Sequence, residues 1–348
     1  MYVITGGGTG GHLAIAKTLA VTLKENKQEV IYIGSLSGQD TAWFEKDPIF
    51  DAVYFLNTVG VVNKKGLGKI QALLLQFFAI FEVRKIFKKH RIKSVISVGG
   101  FSAGPASIAA VLFFKKLFIH EQNAVKGKLN QKLSSFAQAI FGSFEDKSKN
   151  FVSTPYPVRK EFFLESFVRT EAKTLLFLGG SQGAVAINDF ALMVVPELLL
   201  RGYKIIHQCG KKDYERMRQE YIKMEILNRV ELFGFDSDLL SYIKRTDLCI
   251  CRAGASSIWE LAASGIPCIY IPYPYAAGNH QYYNAKFFED KELGILINQD
   301  QLNEKRFFEA LESIKSRITG ISQSLRGTIQ QNGAVKIIRD IMARTSQN

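Results

Sequence analysis

Apolar residues in this chain arrive in short blocks separated by stretches with helical spacing. Tyr2–Thr5 is apolar, Gly6, Gly7, Gly8, Thr9, Gly10, Gly11 and His12 follow, and helical apolar spacing begins at Leu13. That pattern predicts a strand, a tight glycine turn and a helix. The same unit returns at Thr174–Leu178, then Gly179-Gly180-Ser181-Gln182-Gly183, then helical spacing from Ala184. Further strands are expected at Glu29–Ile33, Ser94–Val98, Leu117–Ile119, Ala139–Phe141, Lys204–Gln208, Arg229–Phe233, Leu248–Cys251 and Cys268–Ile271. Strands alternating with helices predict an α/β protein of two similar domains. Each would have a parallel, doubly wound sheet with ligands at the carboxyl ends of its strands. Thr154-Pro155-Tyr156-Pro157 holds the chain extended and is the linker candidate, which divides the chain into 1–155 and 156–332. Gly333 to Ala343 has helical spacing and is able to pack on either domain.

The glycine turns point to a ligand. Glycine tolerates positive φ and lets a ligand approach the backbone, and the helix start that follows offers unpaired N–H groups to phosphate. Gly6-x-Gly8-x-x-Gly11 matches a dinucleotide fingerprint, but a nicotinamide site needs a carboxylate at the end of the second strand, and Gly34-Ser35 stands there. There is also no G-x-x-x-x-G-K-[ST]. His12 has two readings: a helix-start residue whose ring caps the backbone, or a general base or sugar ligand. The stretch Cys251-Arg252-Ala253-Gly254-Ala255-Ser256-Ser257-Ile258-Trp259-Glu260 follows a predicted strand. Its small residues allow close approach, and Glu260 one turn in is placed to bind two ribose hydroxyls. The alternative is a capping box with Ser257 as N-cap and Glu260 three later. Gly278-Asn279-His280-Gln281 reads either as a sugar-reading loop or as ordinary loop polars. Asp236-Ser237-Asp238 resembles a metal-binding pair, but its place before a helix favours N-capping, and no metal is expected.

Composition sharpens this picture. At 348 residues and 47% hydrophobic, the chain has enough for two cores. A net charge of +13 calls for acidic partners such as phosphates, nucleic acid or an anionic membrane. The four cysteines, without a C-x-x-C pair, read as reduced core residues of a cytosolic protein. The first strand is expected to open the fold without a leader. No apolar run reaches the roughly 20 residues of a spanning helix. One stretch stands out: Lys64, Lys65 and Lys69 precede Leu74, Phe77, Phe78 and Phe81, and Arg84 and Lys85 follow. Basic flanks around a short apolar segment suit an element lying on anionic headgroups; the alternative is a buried helix with a solvated basic end. Nucleic acid is disfavoured, because the aromatics cluster together instead of interleaving with the charges.

Seven motifs in order then point to a family. They are Gly7-Gly8-Thr9-Gly10-Gly11-His12, Gly99-Gly100-Phe101-Ser102-Ala103-Gly104-Pro105, His120-Glu121-Gln122-Asn123, Pro157-Val158-Arg159, Gly179-Gly180-Ser181-Gln182-Gly183-Ala184, Cys251-Arg252-Ala253-Gly254-Ala255 and His280-Gln281-x-x-Asn284-Ala285. Over nearly the whole chain the sequence resembles the MurG family, bacterial glycosyltransferases that convert lipid I to lipid II in peptidoglycan synthesis. The resemblance departs at Leu13–Ala16, Phe101 and Tyr156. It implies the GT-B fold: two Rossmann-like domains, an interdomain cleft and a C-terminal helix of about 333–348 returning to the first domain. It implies UDP-N-acetylglucosamine as donor substrate, bound mainly by the second domain, lipid I as acceptor, an anionic membrane surface as partner, and no cofactor or metal. Location would be peripheral, on the cytoplasmic face of the inner membrane. By the same resemblance Arg159 and Ser181 meet the nucleotide, the backbone near Phe235 holds uracil, and Glu260 the ribose. Ala255, Ser256 and Ser257 line the diphosphate, and Ile258 and Trp259 in the same segment join the donor-binding residues. Gln281, Asn123 and Thr9, Gly10 and Gly11 meet the sugar, Asn63–Lys69 is an acceptor loop, and His12, with Glu121 second, is the base candidate. Two other readings fit the residues: another GT-B enzyme, such as a nucleotide-sugar epimerase or a glycolipid glycosyltransferase, and a catalytically silent nucleotide or membrane-surface binder.

Overall fold

A computed structural model describes residues 1–347 except 62, 63, 165, 181, 182 and 237. The chain forms two compact units, Met1–Val158 with Gln331–Asn348, and Arg159–Gln330.

The first unit runs β1 (Tyr2–Thr5), α1 (Gly10–Glu25), β2 (Val30–Ser35), α2 (Asp40–Phe44), β3 (Ala52–Leu56), α3 (Gly66–Lys89), β4 (Ser94–Ser97), α4 (Gly104–Leu112), β5 (Lys116–Glu121), α5 (Lys128–Leu133), β6 (Ala139–Gly142) and β7 (Phe151–Ser153). Its strands form one parallel sheet in the order β3-β2-β1-β4-β5-β6-β7. The central strands are buried along their whole length, as continuous apolar runs covered on both faces require. Register is set by pairs such as Val3 with Ile31 and Val95.

The second unit runs α6 (Glu161–Leu164), β8 (Thr174–Leu178), α7 (Val185–Leu200), β9 (Lys204–Gln208), α8 (Tyr214–Lys223), β10 (Val230–Phe233), α9 (Leu239–Ile243), β11 (Leu248–Cys251), α10 (Ala255–Ala263), β12 (Cys268–Tyr270), α11 (His280–Glu289), β13 (Gly294–Leu296), α12 (Glu304–Lys315) and α13 (Ile318–Thr328). Its parallel sheet has the order β10-β9-β8-β11-β12-β13. In each unit the order reverses beside the first strand, between β1 and β4 and between β8 and β11. Those two points are where an open α/β sheet binds its ligand. The four cysteines are free and buried in this unit.

The last helix, α14 (Gly333–Ser346), buries Ile337, Ile338 and Ile341 and packs against α1 of the first unit. Lys116 Nζ donates to its last-turn carbonyls, Arg344 at 2.9 Å and Thr345 at 3.4 Å, which satisfies groups a helix end leaves open.

Helix α3 corrects one expectation from the sequence. Its 24 residues form one helix, long and apolar enough by length and composition alone to cross a membrane. Its inner face, however, belongs to the domain core: Ala79, Ile80, Val83, Ile86 and Phe87 pack with Val3, Ile33 and Val95. A helix so committed to a sheet has one free face, not a free circumference.

Candidate active site

In the first unit the glycine loop leaves β1 and enters α1 earlier than the apolar spacing predicts. The helix starts at Gly10 with Thr9 as N-cap, so Gly10, Gly11 and His12 make its first turn. Their N–H groups are the ones a helix start leaves without carbonyl partners inside the helix. His12 Nδ1 lies 2.9 Å from the Thr9 hydroxyl, which fixes the ring at the head of the helix. The loop is packed tightly against the end of β4. Gly7 N–H donates to the Gly99 carbonyl at 3.1 Å, and a Cβ on Gly100, whose φ is +81°, would lie 2.1 Å from the Gly7 carbonyl oxygen. His12 and Asn130 both reach the Cα of Gly99, their nearest atoms 3.4 Å from where a Cβ would stand.

Glu121, at the end of β5, is buried. One oxygen accepts from Asn123 N–H at 3.0 Å; the other accepts from Gly127 N–H at 3.0 Å and Asn130 Nδ2 at 2.8 Å. Backbone and amide donors thus hold this carboxylate and engage both oxygens that a base would use. They also shape the turn that carries Asn123, which is half-buried. The neighbouring His120 is fully buried, and burial pushes its pKa down to about 3.

Asp40 is a site residue the sequence reading missed. It lies in α2 and is fully buried. Its Oδ1 accepts from Gly8 N–H at 2.5 Å and its Oδ2 from Ser35 N–H at 2.9 Å. The end of β2, which itself offers no carboxylate, is thus met by one from the next helix, turned inward to the backbone. Nothing within a few residues of the glycine loop signals this contact; the two partners are 32 positions apart.

In the second unit the corresponding loops follow β8 and β11. Gly183, with φ +77°, passes so close to β9 that a Cβ would lie 2.5 Å from the Cys209 carbonyl oxygen. Ser181, expected at the nucleotide, lies outside the described residues. Helix α10 starts at Ala255 with Gly254 as N-cap, and Ser256 and Ser257 sit inside its first turn. The capping box with Ser257 as N-cap is therefore not what forms, and Ala255, Ser256 and Ser257 present a small-residue helix start. One turn further in, Glu260 Oε1 lies 3.5 Å from Arg159 Nη2. Burial raises the Glu260 carboxyl to about 7, and Arg159 offsets part of that rise. The Arg159 guanidinium itself rests 4.7 Å over the Phe162 ring. Ile258 and Trp259 point into the core, Trp259 against Phe287 and Phe288, so their side chains support the helix from behind.

Around this helix start, Arg252 donates to the carbonyls of Ile271 and Pro272, both at 3.0 Å, and to Gln299 at 2.7 Å. It thereby fixes the loop after β12. Gln281 opens α11 and accepts from Tyr273 N–H at 3.0 Å, tying the same loop from its far end. Phe235 is 43% exposed at the end of β10, with Lys211 Nζ 4.8 Å over its ring. Asp238 caps α9 by accepting from Ser241 N–H at 3.3 Å. Among the described residues no group of three or more His, Cys, Asp or Glu is placed to hold a metal ion.

Lys64, Lys65 and Lys69 are exposed around the start of α3, and Arg84 and Lys85 near its end. Between them Leu74, Phe77, Phe78 and Phe81 face outward, each about half exposed or more. Asn63, at the start of the expected acceptor loop, lies outside the described residues.

Comparison with known proteins gives this arrangement its context. Residues 2–142 match the glycosyltransferase family 28 N-terminal domain and residues 174–340 the family 28 C-terminal domain. A Helicobacter hepaticus protein is 55% identical, covering 99% of this chain and 100% of its own. A Helicobacter pylori protein is 49% identical over 98% of this chain and 99% of its own. Both are named UDP-N-acetylglucosamine–N-acetylmuramyl-(pentapeptide) pyrophosphoryl-undecaprenol N-acetylglucosamine transferase. The crystal structure of Acinetobacter baumannii MurG superposes with a TM-score of 0.79 at 26% identity, covering 98% of this chain and 99% of that one. Two parallel α/β units, two glycine loops at their switch points and full-length likeness to these proteins agree: the chain belongs to glycosyltransferase family 28, within its MurG members, and is a glycosyltransferase of the GT-B fold.

Proposed function

We propose that this chain transfers N-acetylglucosamine from UDP-N-acetylglucosamine to the muramyl 4-hydroxyl of undecaprenyl-pyrophosphoryl-MurNAc-pentapeptide, converting lipid I to lipid II in peptidoglycan synthesis. The names of its near full-length relatives supply the reaction. The observation in the structure that carries the reading is Glu260. It is a half-buried carboxylate one turn into a helix that starts with Ala255, Ser256 and Ser257, with Arg159 beside it. That combination suits a nucleotide diphosphate: a helix start and hydroxyls for the phosphates, a guanidinium for charge, a carboxylate for ribose hydroxyls. Uracil would lie against the backbone near Phe235, and Gln281, Asn123 and the Thr9–Gly11 turn would meet the sugar.

The transfer is inverting. The acceptor hydroxyl attacks the anomeric carbon opposite UDP, the bond to the diphosphate oxygen breaks with its electron pair, and a β linkage forms. His12 takes the hydroxyl proton, since its ring is fixed at the helix head by Thr9. Glu121, whose oxygens are engaged by N–H donors, holds the Asn123 turn in place. Charge growing on UDP is met by the α10 helix start, Ser256, Ser257 and Arg159, without a metal. The outward apolar face of α3, flanked by lysine and arginine, rests on anionic headgroups at the cytoplasmic face of the inner membrane, where the lipid acceptor lies.

The test is UDP release from UDP-N-acetylglucosamine with and without a short-chain lipid I analogue, in EDTA. Release that needs the acceptor and survives EDTA is the expected outcome. Donor binding without acceptor-dependent release would move the reading to another GT-B activity.

A further inference from the structure

Asp40 is a carboxylate with no part in the mechanism above, yet it is fully buried and directed at the glycine loop. Burying a carboxylate is expensive unless hydrogen bonds stabilise the charge. Here two backbone N–H groups donate to it, one from Ser35 at the end of β2 and one from Gly8 in the loop, and the Tyr32 hydroxyl lies against the same carboxylate. The space around it is shaped to match. A Cβ on Gly7 would lie 2.4 Å from Asp40 Oδ1, and one on Gly34 would lie 2.8 Å from Oδ2. Tyr32 extends the same clamp, its hydroxyl donating to the Gly6 carbonyl at 3.0 Å. From the opposite side, Gly99 accepts from Gly7 N–H, and the Phe101 ring stands against Gly8. The loop is therefore gripped at Gly6, Gly7 and Gly8. Thr9 and His12 follow directly, and their mutual hydrogen bond inherits whatever orientation Gly8 has.

We infer that Asp40 is a positioning residue for transfer: through Gly8 it sets the pitch at which α1 begins, and so where the His12 ring stands relative to the acceptor hydroxyl. This rests on the reading of His12 as base. A carboxylate is better suited than an amide because both N–H groups it meets are donors. Asparagine would present one NH2 to a donor and leave that contact repulsive.

The test is Asp40→Asn in the full-length protein, with turnover measured at saturating donor and acceptor and UDP affinity measured by titration calorimetry. The expected result is a kcat lower by about a hundredfold, the cost of small misplacement of a reacting group. UDP affinity should be unchanged, because the proposed UDP contacts lie in the second unit. A purely structural role would instead lower Tm and leave kcat intact in the folded fraction, and that result overturns the inference. If Asp40→Asn does not fold, Asp40→Glu carries the test: it keeps two acceptor oxygens for the Gly8 and Ser35 N–H groups but displaces them by one methylene, which shifts the loop that Asp40 holds. Loss of kcat there, with UDP affinity retained, supports the inference, and wild-type kcat overturns it. Wild-type protein lacking acceptor-dependent UDP release would overturn the functional reading itself, a separate outcome from an active wild type with an equally active Asp40→Asn.

Discussion

The two units share the order of six parallel strands, to which the first adds a seventh, and differ in what their carboxylates hold. At the first switch point, buried carboxylates face inward: Asp40 and Glu121 accept from backbone and amide N–H groups and hold loops. The loop that Asp40 holds presents an imidazole, His12, at a helix head, and the turn that Glu121 holds carries Asn123. At the second switch point the carboxylate has a different partner. Glu260 meets a guanidinium, Arg159, that is itself substantially exposed. Carboxylates held by backbone and amide donors organise loops, and the carboxylate beside a cation is the one proposed to bind the nucleotide. On the proposed function, the comparison teaches that one doubly wound scaffold separates proton transfer from nucleotide holding by the partners it gives its acidic side chains: N–H donors of loops in the first unit, a guanidinium in the second.

The separation is broken most directly at His12. His12→Ala should lower kcat by about 10²- to 10⁴-fold, the range for losing a general base. UDP affinity should stay where it was. Turnover measured alongside UDP titration checks both; if UDP binding falls together with kcat, the two switch points do not divide the work.

How much of this could be read before the structure depends on where each signal sits. β1, β8, β9 and β11 are found residue for residue, because buried central strands of a parallel sheet carry short apolar blocks bounded by glycine or polar residues. β3, β7 and β13 were not expected: all three sit at sheet edges, and β7 and β13 have only three residues each. Gly10 and Gly11 read as loop by composition yet lie in the first turn of α1, since N–H groups there need no partner inside the helix. The place of Glu260 one turn into a helix was legible because that helix is local to it. Asp40 was not, because its partner is supplied by the sheet order and not by neighbouring sequence. Glu121 was legible as an acid beside the site, but only the fold shows three donors on it.

Glu260 sharpens the comparison from the other side. Glu260→Ala should weaken UDP-sugar affinity by about ten- to a hundredfold, the worth of one or two hydrogen bonds to a charged group. Its raised carboxyl adds a pH signature. With a value of about 7 against the usual 4.5, the free protein holds Glu260 largely protonated at mildly acid pH. Ribose hydroxyls donate best to the carboxylate, so UDP affinity should rise with pH up to about 7 and then level off. Stability runs the opposite way: the raised value contributes stability below pH 4.5, and that contribution is lost as pH climbs through about 7. Titration calorimetry of UDP at several pH values reads the first effect. An affinity flat from acid to neutral pH would sink the ribose role, and Glu260→Gln should flatten it by design.

The smallest effects concern what lies behind the two switch points, where each unit buries one neutral histidine. Burial holds both His120 and His207 at about 3, well below the usual 6.5. For a depressed histidine the stability is complete above 6.5 and lost as pH falls through about 3, and each shift corresponds to roughly 4 to 5 kcal/mol. Both units should therefore weaken in that acid window. The two rings differ in what they do at neutral pH. His207 is bonded at both nitrogens, to the Tyr221 hydroxyl at 2.9 Å and to Asn188 Oδ1 at 3.1 Å. Asn188 in turn donates to the Cys209 carbonyl that packs on the second glycine loop. Neither nitrogen of His120 has a hydrogen-bond partner among the described residues; its contact is edge-on to the Tyr156 ring. His207→Leu should thus cost about 2 to 4 kcal/mol at pH 7 by leaving two buried polar groups unpaired. His120→Leu should cost less than about 1.5 kcal/mol, the range of a hydrophobic swap of similar size. It should also remove the first unit's loss of stability in acid. Calorimetric unfolding of both variants at pH 7 and pH 5 separates the cases. Equal penalties at pH 7 would mean that His120 is paired in solution, and that the first unit, like the second, uses its buried histidine to fasten the loops in front of it.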